Sequence, residues 1–148
     1  LVEVTGGEPL IQPEVIDLLS GLKACGTVLI ETNGSHDISQ VPSGVSVIMD
    51  IKCPGSGERE STERQNIQRP RPEDEVKFVI CDRKDYDWAS REMLRHRLPE
   101  ICRAVLFSPV FGVLDPAELA EWMLRDRVAA RLSLQIHKLI WDPSSRGV

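Results

Sequence analysis

The 148-residue chain has no excess of positive charge: 18 Lys and Arg stand against 23 Asp and Glu, a formal net charge of -5 at pH 7. An acidic chain lacks the electrostatic footprint of a general nucleic-acid binder, so that class is set aside. No stretch approaches the roughly 20 apolar residues of a membrane span, so no membrane role is expected. No signal peptide is read ahead of the opening strand-like segment, and the expected setting is the cytoplasm. Cysteine is sparse. Cys25, Cys53, Cys81 and Cys102 are separated by 28, 28 and 21 positions, so no two share a short metal-binding loop. That excludes zinc-finger and iron–sulfur spacing within the chain. Cys25, Cys81 and Cys102 read as small buried apolar residues beside strands; Cys53, at a strand end, is left open. A GxGxxG opening and internal repeats are also missing.

What is present is enough for one domain with a real core. Hydrophobic residues make up 41% and charged residues 28%, ordinary for a globular protein. Apolar β-branched runs predict strands at Leu1–Val4, Thr27–Ile30, Val45–Asp50, Glu75–Cys81, Ala104–Phe107 and Arg131–Ile136. Amphipathic segments predict helices at Pro13–Lys23, Asp85–Arg97 and Pro116–Arg127, the last started by the N-cap residue Asp115 and Pro116. Between them, 55–74 is rich in Gly, Ser, Glu, Arg, Gln and Pro and reads as a long loop or short exposed helix, with a composition that allows mobility. Six strands with interleaved helices imply an α/β fold with a mainly parallel sheet, an open or partial (β/α) barrel.

Polar residues collect at the predicted strand ends, where such barrels carry their active sites. Strand one delivers Thr5, Gly6, Gly7 and Glu8; strand two Glu31, Thr32 and Asn33. Strand three delivers Asp50 and Lys52, strand five Ser108, and strand six Gln135 and His137. Gly6-Gly7 allows backbone to approach a ligand, or simply makes a tight turn. Glu31 also suits a helix N-terminus, His137 a backbone-satisfied structural role, and Lys52 a surface pair with Asp50 or Glu58. His36 and His96 read as solvent or packing residues. Trp88 and Trp122, with Met93 and Met123, read as core. The run Arg64–Arg71 reads as a solvated loop.

Thr5-Gly6-Gly7-Glu8-Pro9 resembles the GGEP motif of radical S-adenosylmethionine enzymes. Glu31-Thr32-Asn33-Gly34-Ser35, Asp50-Ile51-Lys52-Cys53-Pro54-Gly55-Ser56-Gly57 and Leu134-Gln135-Ile136-His137-Lys138-Leu139-Ile140-Trp141 narrow the resemblance to the 7-carboxy-7-deazaguanine synthase family. The resemblance runs essentially end to end. It implies that Gly6, Gly7 and Glu8 hold the methionine end of S-adenosylmethionine, with Thr32 and Lys52 near it and Ser108 beside the adenosine. It implies that Thr5, Glu31 and His137 face the pterin substrate, 6-carboxy-5,6,7,8-tetrahydropterin, with Arg146–Val148 contributing. A radical SAM carbon–nitrogen lyase of queuosine biosynthesis is the implied enzyme, a homodimer served by an electron donor such as flavodoxin.

Such chemistry needs a [4Fe–4S] cluster on three cysteines of one loop, and the family also binds Mg2+ beside the last of them. The chain opens at the GGEP strand. The expectation is therefore that residues 1–148 are the C-terminal portion of a radical SAM barrel domain, lacking the first strand and cluster loop and inactive alone. Two other readings stay open: an activating enzyme of the glycyl-radical type acting on a protein partner, and a non-catalytic module for S-adenosylmethionine binding or partner docking.

Overall fold

In the computed structural model, which describes residues 1–56 and 66–142, the β-branched runs form six strands. These are β1 (Val2–Val4), β2 (Val28–Thr32), β3 (Val45–Lys52), β4 (Glu75–Ile80), β5 (Ala104–Pro109) and β6 (Arg131–Leu132). They lie side by side in chain order in one sheet, and every pairing is parallel. The expected mainly parallel α/β sheet is present as an open sheet.

Parallel neighbours need crossovers, and these carry α1 (Val15–Leu22), α2 (Arg83–Arg95), α3 (Leu98–Ile101) and α4 (Pro116–Asp126). Crossovers of one hand between strands in strictly sequential order put every helix on the same side of the sheet. Burial agrees. Val28, Ile30, Val45, Val47, Met49, Ile51, Val76, Phe78, Ile80, Val105 and Phe107 share one strand parity and form a single core with Val15, Leu19, Tyr86, Ala89, Met93, Leu119 and Met123 of the helices. Edge-on ring contacts join Phe78 to Trp88 and to Phe107, and Tyr86 to Phe107 and Trp122. Trp88 and Trp122 are partly buried against this core, beside the buried Met93 and Met123.

Residues of the other parity face away from the helices. Leu29, Glu31, Ser46, Ile48, Asp50, Lys52, Glu75, Lys77, Val79 and Leu106 are all only partly buried. The sheet thus has a dry, helix-covered face and a polar, open one.

Helix α2 starts where the Asp82 side chain accepts from Asp85 N–H, and α4 where Asp115 accepts from Ala117 N–H. Pro116 occupies the first turn of α4, as expected. Two differences from the sequence expectation matter. Strand β6 ends at Leu132, because it is an edge strand with one neighbour; beyond it the backbone turns on itself, with Lys138 N–H bonded to Gln135 C=O, into α5 (His137–Ile140). His137 therefore opens a short helix instead of ending a strand. Cys25 is exposed at the end of a 3-10 turn, while Cys102 is buried and Cys81 partly so.

Of the 55–74 segment, 57–65 lies outside the described residues, as do Glu58, Arg64 and Arg146–Val148. Among the described residues, no helix is long and apolar enough to cross a membrane.

Candidate functional site

Because every pairing is parallel, all strand C-termini arrive at one edge of the sheet, and the polar residues predicted there arrive together. The first turn after β1 is set by backbone conformation. Gly6 and Gly7 have φ of 102° and 59°, which disfavours any residue with a Cβ. A Cβ on either would meet no atom within 4 Å, so the space above both is open.

Glu8 then folds inward. Its Oε1 accepts from Leu10 N–H at 3.0 Å, capping the short turn Pro9–Ile11, and its Oε2 accepts from Asn33 N–H at 2.8 Å. The Thr32 hydroxyl donates to the same carboxylate, 2.8 and 2.9 Å from its two oxygens. Thr32 is buried and its hydroxyl accepts from Gly34 N–H. Glu8 thus ties the end of β1 to the end of β2. With the Thr32 hydroxyl reaching both oxygens, these bonds engage all of the roughly four acceptor positions of the carboxylate.

The open face carries a charged cluster. Glu31 accepts from the Thr5 hydroxyl at 3.1 Å and from the ammonium of Lys77. Lys77 also lies 2.9 Å from Asp50 Oδ1 as an ion pair, at an angle that leaves this oxygen with no hydrogen-bond partner. Register explains the meeting: Asp50 stands opposite Lys77 across β3 and β4, and Glu31, paired with Ile48, lies two residues back on β2 and so on the same face. Burial opposes the charge on Glu31. The hydrogen bond and charge of Lys77, aided by Thr5 and Lys52, outweigh it and hold this carboxyl below its usual range. At Asp50 burial dominates, and its carboxyl sits above the usual range despite Lys77. Burial also works against the Lys77 ammonium, but Asp50 and Glu31 prevail and raise its pKa. Lys52 and Ser108 occupy one register row at the sheet edge, either side of Val79.

Buried polar anchors hold the loops around this edge. Asp85 Oδ1 accepts from Gly55 N–H at 2.8 Å and Oδ2 from Cys81 N–H at 3.1 Å, tying the segment after β3 to the turn into α2. A Cβ on Gly55 would lie 2.7 Å from Asp85 Oδ2, so the glycine is required by contact. Asn66 is fully buried; its amide donates to Gly34 C=O and His36 C=O and its oxygen accepts from Ile38 N–H. The arginines here are structural. Arg69 pairs with Asp37. Arg71 pairs with Asp74 and donates to Val45 C=O at 2.6 Å. The solvated-loop reading of Arg64–Arg71 gives way at these two positions, because each guanidinium has fixed acceptors. His36 is exposed beside Ser35, and His96 stands 3.3 Å from Glu92.

The structure therefore joins Thr5 to Glu31 and Glu8 to Thr32, and sets Lys52 in one row with Ser108. His137 stands apart in this respect: it is exposed, and among the described residues its ring has no hydrogen-bond or ion-pair partner. Cys53 is buried between strand ends, which pushes its thiol well above the ordinary range; neighbouring Asp85 adds to this. Sequence reasoning missed Lys77, which sits inside a strand instead of at its end. The available signal was the alternation Glu75-Val76-Lys77-Phe78, which puts a lysine on the face opposite the core.

An α/β protein with a sequentially wound parallel sheet and a polar cluster at its C-terminal edge is the class these features define. No protein-family profile matches the chain. It is 43% identical over 162 aligned positions to the 7-carboxy-7-deazaguanine synthase of Koribacter versatilis, covering 100% of this chain and 72% of the relative. It is 44% identical over 153 positions to the 7-carboxy-7-deazaguanine synthase of Chlorobaculum tepidum, covering 99% and 68%. The enzyme of that name from Clostridium acetobutylicum is 34% identical, with 99% and 69% covered. The chain belongs to the 7-carboxy-7-deazaguanine synthase family.

Proposed function

We propose that this chain is the S-adenosylmethionine- and pterin-binding portion of a radical SAM 7-carboxy-7-deazaguanine synthase. The reaction converts 6-carboxy-5,6,7,8-tetrahydropterin to 7-carboxy-7-deazaguanine with loss of ammonia. Relatedness along the whole chain supports the reading, and one structural observation carries it: an ionised Glu31, oriented by Thr5 and Lys77 and partly exposed near the strand ends. A carboxylate is the matched acceptor for the adjacent N–H donors of a pterin's amino-pyrimidinone edge.

Gly6, Gly7, Glu8, Thr32, Lys52 and Ser108 are the residues assigned to S-adenosylmethionine. The open space above the two glycines suits its methionine end. When bound and reductively cleaved, this cofactor supplies a 5′-deoxyadenosyl radical; the chain's own part is to orient it and exclude water. Thr5, Glu31 and His137 are assigned to the pterin, His137 from the α5 end. The [4Fe–4S] cluster does not fit here. Among the described residues no three His, Cys, Asp or Glu could hold a metal ion, and the four cysteines lie on separate segments. No step is routed through a cluster or Mg2+. The open sheet is read as part of a barrel whose remaining wall, with the cluster, completes the enzyme. Homodimer assembly, a flavodoxin-like donor and a cytoplasmic setting belong to the same reading.

The cysteine arrangement favours one second reading, a binding module that relies on another chain for its cluster. The test is anaerobic binding followed by product analysis. The chain should bind S-adenosylmethionine and the tetrahydropterin, and Glu31→Gln should lose the pterin while keeping the cofactor. Alone, after iron–sulfur reconstitution, it should release no 5′-deoxyadenosine. Release of that product would overturn the assignment as a portion inactive alone, and failure to bind either ligand would overturn the synthase reading.

A further inference from the structure

Lys77 lies outside every motif that suggested a site, yet it is the centre of the open-face cluster. Its ammonium is gripped between Glu31 of β2 and Asp50 of β3 from a position in β4, so three adjacent strands meet at one cation. The lysine is 17% exposed and Glu31 29% exposed, so the lysine is the more enclosed partner and the carboxylate presents the freer surface. Thr5, just past β1, holds the second oxygen of Glu31. The Glu31 carboxylate is thereby fixed at both oxygens, with acceptor positions remaining on each.

A glutamate has three rotatable side-chain bonds, and a carboxylate receiving two parallel N–H donors must be both charged and held in plane. The surface pair of Lys52 with Asp50 that the sequence allows would leave Glu31 without this support. Instead Asp50 pairs with Lys77, and Lys52 stays at the sheet edge in the row of Ser108. Among the described ion pairs, Lys77 alone bridges two strand carboxylates on this face.

We infer that Lys77 is a positioning residue for pterin recognition, fixing Glu31 as the acceptor for the ring's paired N–H donors without touching the ligand itself. This rests on the synthase reading and deepens it. The inference also assigns a specificity: the gain from Lys77 applies to rings that carry the 2-amino group beside a ring N–H, and is lost on rings bearing oxygen there.

The test is fluorescence titration of the protein, in the presence of S-adenosylmethionine, with 6-carboxypterin and with 6-carboxylumazine, in which oxygen replaces the 2-amino group. Lys77→Met should weaken 6-carboxypterin binding at least tenfold and change 6-carboxylumazine binding less than twofold. Lys77→Arg, which keeps the charge and can still span two carboxylates, should recover most of the pterin affinity. Affinity for S-adenosylmethionine, measured in parallel, should hold within twofold in both variants. Unchanged pterin affinity in Lys77→Met overturns the role of Lys77 alone. Equal losses for all three ligands, with no recovery in Lys77→Arg, also overturn it, since that pattern marks a purely structural lysine. A wild-type protein that ignores both rings overturns the substrate reading and this role with it.

Discussion

The two faces of the sheet use the same strands to opposite ends. On the helix-covered face every residue from Val28 to Phe107 of the buried parity is apolar apart from Thr32, and rings and methyls fill the space under α1, α2 and α4. On the other face, one residue along each strand, Glu31, Asp50, Lys52 and Lys77 stand partly open. Period-two alternation allows this division without a change of backbone. The covered face makes the strands stay together; the open face is then free to carry charges that contribute little to cohesion. Stability and chemistry are thus separated by the direction of a side chain more than by place in the chain.

The sharpest way to break that comparison is to cut adjacent residues of β4. Phe78 is fully buried and meets Trp88 and Phe107 edge-on. Phe78→Ala should lower unfolding free energy by about 3–5 kcal/mol, through lost transfer energy and the cavity left behind. Val79→Ala, one residue on and on the open face, should cost about 1 kcal/mol or less. Urea denaturation of the two variants reads the difference directly. Equal losses would mean that the open face is packed as firmly as the covered one.

How much of this was legible in the sequence follows the same division. Strand positions came from β-branched runs such as Val45-Ser46-Val47-Ile48-Met49, whose alternation is a direct imprint of one buried face. The gathering of Thr5, Glu31 and Lys52 at one edge followed from parallel order, since that places all strand ends together. What did not follow was pairing. Whether Lys52 or Lys77 meets Asp50 depends on register between β3 and β4, which a segment of more than twenty residues separates and no local signal sets. The burial of Asn66 and the grip of Arg71 on Val45 C=O are long-range too. The end of β6 was overextended because Leu134-Gln135-Ile136 alternates like a strand, while an edge strand with one neighbour has few ladder bonds to hold it extended.

A smaller effect sharpens the boundary between the faces. Gly55 touches the carboxylate of Asp85, and that carboxylate is no loose chain end: Gly55 N–H and Cys81 N–H both fix it. Gly55→Ala should therefore cost about 1–3 kcal/mol, the usual range for overpacking. In an Asp85→Ala background the same substitution should cost clearly less, because the clashing atoms are gone. A double-mutant cycle on thermal unfolding measures that coupling. Additive losses would mean the contact is not the reason for the glycine.

The smallest effect comes from the open face itself, and its size changes with pH. Lys77→Met removes the cation between Glu31 and Asp50 and should cost about 1 kcal/mol near neutrality, the scale of a partly exposed ion pair. In the native protein Glu31 is held below its usual range, so its stabilisation is present at neutral pH and lost as pH falls through the carboxylate range. Asp50 is already raised by burial, so it works in the opposite direction, and folding becomes easier for it as it takes up a proton. Without Lys77 both carboxyls rise further and resemble Asp50. The gap between native and Lys77→Met should therefore be widest between about pH 6 and 9 and narrow as pH falls through the carboxylate range, closing only once the lowered Glu31 carboxyl is protonated as well. It should shrink again above about pH 10.4, where the unfolded lysine is neutral and the raised native lysine begins to lose its proton. Urea midpoints at stepped pH test this shape. A gap that is flat from pH 4 to 9 would mean the lysine acts through its methylenes, and the open face would then differ from the covered one in degree alone.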